Sequence, residues 1–177
     1  MNRRSVSKII LAAAACTLIL CGCGGKRAGS GAGPDRGGPN GDIFRVGNGT
    51  EPEGLDPHVV TGVPEHHILL SLFEGLVRMN PKDLTPIPGV AETWEVSADG
   101  LVYTFHLRKD AKWSNGDPLT SKDFAYAWRR CLTASLASEY AYMLFPMKNA
   151  KAYSEGTLKD FAQVGCEFPD DHTIKVT

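Results

Sequence analysis

The stretch LVYTFHLRKDAKWSNGDPLTSKDFAYAWRR, residues 101–130, changes its hydrophobic period halfway along. Its first part alternates. Leu101, Tyr103, Phe105 and Leu107 fall on one face and Val102, Thr104, His106 and Arg108 on the other, the pattern of a half-buried strand. Its last part places Phe124, Ala127, Trp128 and, just beyond, Cys131 at i, i+3, i+4 and i+7, the buried stripe of an amphipathic helix. Between them Asn115-Gly116 supplies the positive φ of a tight turn. Thr120, with Asp123 three residues on, sets a helix cap that offers a carboxylate to the free amides of the first turn. Each conspicuous residue thus has a folding role. Asp117 and Asp123 could be paired as acid and base, but Asp123 is already used as a cap and no sequence feature marks either as a proton carrier. The stretch is read as scaffold, His106 as a strand-surface histidine, and the chain as no enzyme.

Working outward, residues 91–96 complete a hairpin with 101–108 through the turn tetrad Ser97-Ala98-Asp99-Gly100. Downstream, LASEYAYMLFPM (136–147) predicts a second apolar helix closed near Pro146. Residues 157–162 predict one further turn or two, and 165–177 a second hairpin turning at Pro169-Asp170-Asp171. Upstream, Asp42–Asn48 is a short strand candidate. In residues 51–67 Pro52, Gly54, Pro57, Gly62 and Pro64 forbid a long regular element and leave only a brief extended piece at His58–Val60. Pro64 fits the first turn of a helix. Ile68, Leu69, Leu72, Phe73 and Leu76 then predict one buried helical face, with Gly75 near its end.

The front of the chain has another character. MNRRSVSK is basic, and residues 9–20 are an uninterrupted apolar or small run of twelve. That is too short for a transmembrane helix, which needs about 20 residues, so residues 1–22 are read as an export signal. Leu20-Cys21-Gly22-Cys23 is similar to the lipobox of bacterial lipoproteins, with Cys23 the residue to be acylated. Cys21 would put Leu20 where a small residue is wanted, and Cys16 lacks the aliphatic residue three positions before it. The acyl chains would hold a soluble body on a membrane outside the cytoplasm, each buried methylene contributing about 0.8 kcal/mol. Residues 23–42 are the tether. From 24 to 42, eight of nineteen residues are glycine and none is large and apolar, a composition that cannot offset its ordering entropy. Its end-to-end distance as a coil is about 25 Å.

About 135 residues remain for folded structure, one domain's worth. With the three basic residues of the signal removed, 16 basic residues face 20 acidic ones, a net charge near −4 and no nucleic-acid footprint. The Arg129-Arg130 pair suits a helix C-terminus. Cys131 and Cys166 are expected as buried thiols. The exported compartment permits a disulfide between them, and the sequence leaves that pairing open. There is no CxxC or HExxH, and the adjacent His66 and His67 diverge on a helix, so no metal or other cofactor is expected.

The order LDPH, TGVPE, LFEGLV, PGVAETWEVS, YTFHLR, AKWSNGDPLTSKDFAYAWRR, SEYAYML and DDHTIKVT resembles the periplasmic oligopeptide-binding proteins, the solute-binding subunits (family 5) of peptide-importing ABC transporters. The likeness runs from about residue 43 to 177. It implies an α/β (α+β mixed) chain of the periplasmic-binding-protein-like type II fold, with residues 43–75 as the first segment of the main lobe and 76–177 as accessory domain. In that family two lobes close over an extended peptide whose main chain pairs as an added strand, while its side chains enter hydrated pockets. The pairing segment corresponds to Thr61-Gly62-Val63, with Thr61 where oligopeptide binders often carry an acid. Tyr140 corresponds to a tyrosine that lies against the ligand, its plainer reading being one more core aromatic. The resemblance further implies a monomer outside the cytoplasm, in the periplasm or at the cell surface. Its partners would be a peptide, the membrane permease and, through Cys23, lipid.

Family members run to several hundred residues. This chain is therefore expected to hold the start of the main lobe and most of the accessory domain, without the opposing lobe and its acidic residue for the peptide amino terminus, and not to enclose a peptide alone. A truncated product, a fragment and one half of a split receptor all remain open. So do a dipeptide, murein-peptide or nickel-chelate ligand, and a surface lipoprotein domain with no ligand of its own.

Overall fold

The computed structural model describes residues 46–177. The export signal, Cys23, the tether and the start of the strand expected at Asp42–Asn48 lie outside the described residues; Val46–Asn48 carry no strand.

The alternating stretch folds as expected. β3 (Ala91–Val96) and β4 (Tyr103–Leu107) form an antiparallel hairpin, with Trp94 opposite Phe105 and Val96 opposite Tyr103. Its turn is closed by Asp99 Oδ1, which accepts from the Leu101 amide at 3.1 Å. β5 (Cys166–Asp170) and β6 (Thr173–Val176) form the second hairpin. β6 docks on β4 to give one sheet of order β3-β4-β6-β5. The second turn falls later than the sequence suggests. β5 runs through Pro169 and Asp170, and Asp171-His172 form the tip, because Asp170 Oδ1 accepts from the His172 amide at 2.7 Å. Ahead of this sheet, β1 (Val77–Met79) pairs antiparallel with β2 (Pro86–Pro88).

α2 (Ser121–Leu132) begins where its cap predicts: Asp123 Oδ2 accepts from the Thr120 amide at 2.7 Å and from its hydroxyl at 3.1 Å. Ser121 is buried and fixes this helix end to the second hairpin. Its amide donates to the Asp171 carbonyl at 2.9 Å and its hydroxyl to that of Asp170 at 2.6 Å. Trp128 joins two apolar clusters. One gathers Leu132, Ala141, Met147, Ala150, Val164 and Cys166; the other gathers Val90, Ala91, Leu107, Ala111 and Ile174. The Trp128 ring meets Phe168 at 5.9 Å and Phe124 at 6.2 Å. Burial pushes the Cys166 thiol up to about 11, and Cys131 is half-buried; both are free thiols.

Two expectations fail in instructive ways. Residues 136–147 do not form an α-helix. Two 3₁₀ segments, Ala134–Leu136 and Glu139–Leu144, are divided by Ala137 in the left-handed region (φ 54°) and by extended Ser138. The tract is apolar without helical periodicity, and Tyr142 and Met143 face solvent. A short helix the sequence did not announce, α3 (Ala150–Ser154), follows Asn149, also left-handed at φ 61°. The further turn expected at 157–162 appears as a 3₁₀ turn, Phe161–Gln163, set by the Asp160 carboxylate accepting from the Ala162 amide. Finally, α1 (Val63–Leu72) forms with Pro64 in its first turn, but its apolar face is not buried. Ile68 and Leu69 are half-covered, Leu72 and Phe73 are exposed, and Glu65 is the helix's buried residue.

Candidate functional site

The loop before α1 is shaped by its own aspartate. His58–Val60 is a turn rather than an extended piece: the amides of Val59 and Val60 both donate to the Asp56 carbonyl, and Asp56 Oδ1 accepts from the His58 amide at 3.0 Å. This is the side-chain-to-backbone competition that short polar residues bring to turns. Arg130, at the end of α2, then grips the turn from 74 residues away. Its guanidinium donates to both carboxylate oxygens of Asp56, at 2.7 Å to Oδ1, and at 2.6 Å to Nδ1 of His58. The fork matches the carboxylate, a geometry that lysine cannot offer. The Arg130 hydrogen bond, followed by the His58 amide, lowers the Asp56 carboxyl to about 2. Burial, then the adjacent Arg130 charge, lowers the His58 imidazole from its ordinary value. The geometry agrees, since an Nδ1 that accepts from arginine must carry no proton.

The clamped turn delivers Thr61-Gly62-Val63 to the surface. Gly62 is extended (φ −80°, ψ 153°) and is the N-cap of α1. Val63 opens the helix, so its amide has no intrahelical acceptor. Among the described residues neither the Gly62 nor the Val63 amide donates to a partner. Tyr140 comes from the irregular segment after α2 and meets this edge, its hydroxyl donating to the Thr61 carbonyl at 3.3 Å. Its ring is 45% exposed and stands edge-on to Tyr142 at 6.1 Å, so it is not a core aromatic. The structure therefore brings together the four residues singled out from the sequence, Thr61, Gly62, Val63 and Tyr140.

Two open cavities flank the edge and share Val60, Thr61 and Gly62. One, of about 250 Å³, is walled by Pro57, His66, Leu69 and Tyr140. The other, of about 650 Å³, lies toward Glu51, Glu53, Glu65 and Glu139. Gly62 cannot gain a side chain without displacing the Glu65 carboxylate, which occupies the space a Cβ would fill. Sequence reasoning missed Asp56, Arg130, Glu65 and Glu139. Arg130 reads as a helix-end cation, and nothing in its vicinity along the chain names Asp56. The Asp-Pro-His turn was the only signal, and it is local.

Residues 111–130 fold by the turn and cap read from the sequence. Gly116 takes φ 95°, Asp117 Oδ2 accepts from Asn115, and Asp123 Oδ1 accepts from the Trp113 indole at 3.3 Å. His66 and His67 are both exposed. Among the described residues no group of His, Cys, Asp or Glu is arranged to hold a metal, and no helix is long and apolar enough to cross a membrane.

Comparison with known proteins agrees with this architecture. Residues 85–177 match the family described as bacterial extracellular solute-binding proteins, family 5 Middle. The periplasmic oligopeptide-binding protein OppA of Haemophilus influenzae is 45% identical over 133 residues, which is 74% of this chain and 24% of that protein. The dipeptide-binding protein DppE of Bacillus subtilis is 36% identical over 164 residues, 91% of this chain and 30% of that one. The crystal structure of Haemophilus influenzae OppA in complex with the peptide RPPGFSPFR superposes with a TM-score of 0.68 at 44% identity, covering 73% of this chain and 25% of the other. The chain thus spans about a quarter of the length of the curated relatives it matches. Its mixed helices and antiparallel sheet are those of its structural neighbours, and the chain belongs to the bacterial extracellular solute-binding proteins of family 5.

Proposed function

We propose that this chain is the peptide-contacting part of an extracytoplasmic receptor that binds oligopeptides and hands them to the membrane permease of an ABC importer. One observation carries the reading. The backbone edge Thr61–Val63, extended at Gly62 and entering α1 at Val63, has at Gly62 and Val63 amides unpaired among the described residues, beside an open cavity, and a tyrosine hydroxyl already on the Thr61 carbonyl. Such an edge recognises main chain. A peptide running alongside it accepts from the Gly62 or Val63 amide and donates to the second lone pair of the Thr61 carbonyl. Affinity then depends little on peptide sequence. The relatives named for oligopeptides and dipeptides support the class of ligand. In this reading residues 43–75 belong to the ligand-binding lobe and 76–177 to an accessory domain that holds it through Arg130 and Tyr140.

The body is moored to a membrane by lipid on Cys23 and is otherwise monomeric and outside the cytoplasm. Its chemistry is binding alone, without cofactor. Calorimetry of the full chain with mixed tri- to pentapeptides tests the function, and a weak but saturable heat is expected from main-chain pairing at the open edge, without enclosure of the peptide. No heat with any of them would leave a surface lipoprotein domain without a ligand of its own. Heat only with dipeptides, murein peptides or nickel chelates would move the ligand within the family. Labelled fatty acid should appear on the exported chain and vanish in Cys23→Ser.

A further inference from the structure

Three asparagines precede a glycine, Asn40, Asn48 and Asn115, and Asn40 lies outside the described residues. A glycine nitrogen, unshielded by any Cβ, can attack the side-chain carbonyl carbon of the asparagine before it. In a folded chain the attack depends on whether that amide is free. At Asn115 it is not. The Gly116 amide donates to the Trp113 carbonyl at 2.9 Å. The Asn115 side chain is held at both ends, Oδ1 accepting from the Asp117 amide at 3.0 Å and Nδ2 donating to Asp117 Oδ2 at 2.7 Å. At Asn48 the nucleophile is open. Gly49 is exposed, with φ 81°, and among the described residues its amide donates to no acceptor. The Asn48 side chain is held through Nδ2 alone among the described residues, donating to the Pro64 carbonyl at 3.2 Å and to that of Thr50 at 3.4 Å. The Pro64 bond spans 16 residues and ties the chain ahead of the Asp56 turn to the first turn of α1.

We propose that Asn48 is a site of spontaneous deamidation in the folded chain, and that the reaction releases this tie. The Gly49 nitrogen gives its proton to solvent and bonds to Asn48 Cγ. The Cγ–Nδ2 bond breaks, and Nδ2 takes a proton from solvent and leaves as ammonia. Water then opens the succinimide ring. Cleavage of its bond to Cγ gives aspartate, and cleavage of its bond to the Asn48 main-chain carbonyl gives isoaspartate. Nothing is oxidised or reduced, and water is the one co-reactant. Either product places an acceptor-only carboxylate where the amide donated. Negative charge then faces the Pro64 carbonyl, and the tie is replaced by repulsion. The link from the Glu53 amide to Glu65 is left to hold the loop on α1 without it.

Two measurements on the full chain test this. Trypsin yields peptides 46–78 and 113–122, in which Asn48 and Asn115 are the sole asparagines. Both peptides are followed by mass spectrometry after incubation of the chain at neutral pH, folded or in urea. In urea the two positions should deamidate at similar rates, since each is Asn-Gly. Folding should leave Asn48 near its urea rate and slow Asn115 about tenfold, the protection that one hydrogen bond gives against local opening. Equal rates at the two positions in the folded chain, or the slower rate at Asn48, overturn the site. The second measurement is amide exchange in Asn48→Asp, which carries the product from the start. The Glu53 amide should exchange several-fold faster, with the β4 amides unchanged as a check on folding. Unaltered exchange at Glu53 overturns the release of the tie.

Discussion

The sheet with α2 and the loop with α1 lie in one chain and are held by different forces. In the first, Leu132 and Ile174 are 0% exposed and the aromatic rings of Phe124, Trp128 and Phe168 close over the strands. Area removed from water does the work there, and it is non-directional. In the second, Val63, Leu70 and Leu72 are 66%, 65% and 63% exposed, and the helix buries a glutamate instead of its leucines. That region is kept in place by a few directed bonds: Arg130 to Asp56 and His58, Tyr140 to Thr61, and the Glu53 amide to Glu65. A core closes on itself, whereas an edge fixed by directed bonds keeps its backbone and its cavities available to a ligand. In the proposed reading the first region is therefore scaffold and the second is site.

The contrast is most easily broken by truncation. Leu132→Ala and Ile174→Ala should each lose about 2–5 kcal/mol in urea denaturation, whereas Leu72→Ala should stay within about 0.5 kcal/mol of the parent. Comparable losses at Leu72 and Leu132 would mean that α1 has a buried face after all, and the division would fail.

The same division explains what the sequence could reveal. Both hairpins and the Thr120–Asp123 cap are legible because strand alternation, turn chemistry and capping act within a few residues. The α1 face misleads because periodicity reports that a face is apolar, not what covers it. Residues 136–147 mislead because an apolar run with left-handed Ala137 at its entry has hydrophobicity without helical geometry. Thr61, Gly62, Val63 and Tyr140 were found through the family likeness. The bonds that shape their edge join Asp56 to Arg130 and Thr61 to Tyr140 across 74 and 79 residues, and no local rule connects them.

Removing the clamp sharpens the contrast. In Arg130→Ala, amide exchange at Val59 and Val60 should quicken on the order of tenfold while β4 is unchanged, since local opening follows local bonding. Equal acceleration in both would make the clamp a global support. The next test is pH. The folded His58 imidazole is held below its ordinary value, so the unfolded chain takes the proton first, and stability falls as pH drops below about 6.5. The Asp56 carboxyl, at about 2 when folded, gives a second loss between about pH 4 and pH 2. That lower loss is shared with Asp83, Asp99 and Asp170, whose carboxyls are lowered by hydrogen bonds from the Thr85 hydroxyl, the Ser97 hydroxyl and the His172 amide respectively. The two limbs should therefore separate: urea midpoints of His58→Gln should lose the upper limb and keep the lower one. An unaltered upper limb would remove His58 from the account. The smallest effect is expected from Tyr140→Phe, within about 0.5 kcal/mol in stability but several-fold weaker in peptide affinity. Unchanged affinity would return Tyr140 to the scaffold.

The most direct measurement is amide hydrogen exchange on the full chain with and without saturating tri-alanine. Pairing at the edge predicts slowed exchange at Gly62 and Val63 with the β4 amides unaffected. Peptide binding that leaves Gly62 and Val63 exchanging at their free rates would contradict it.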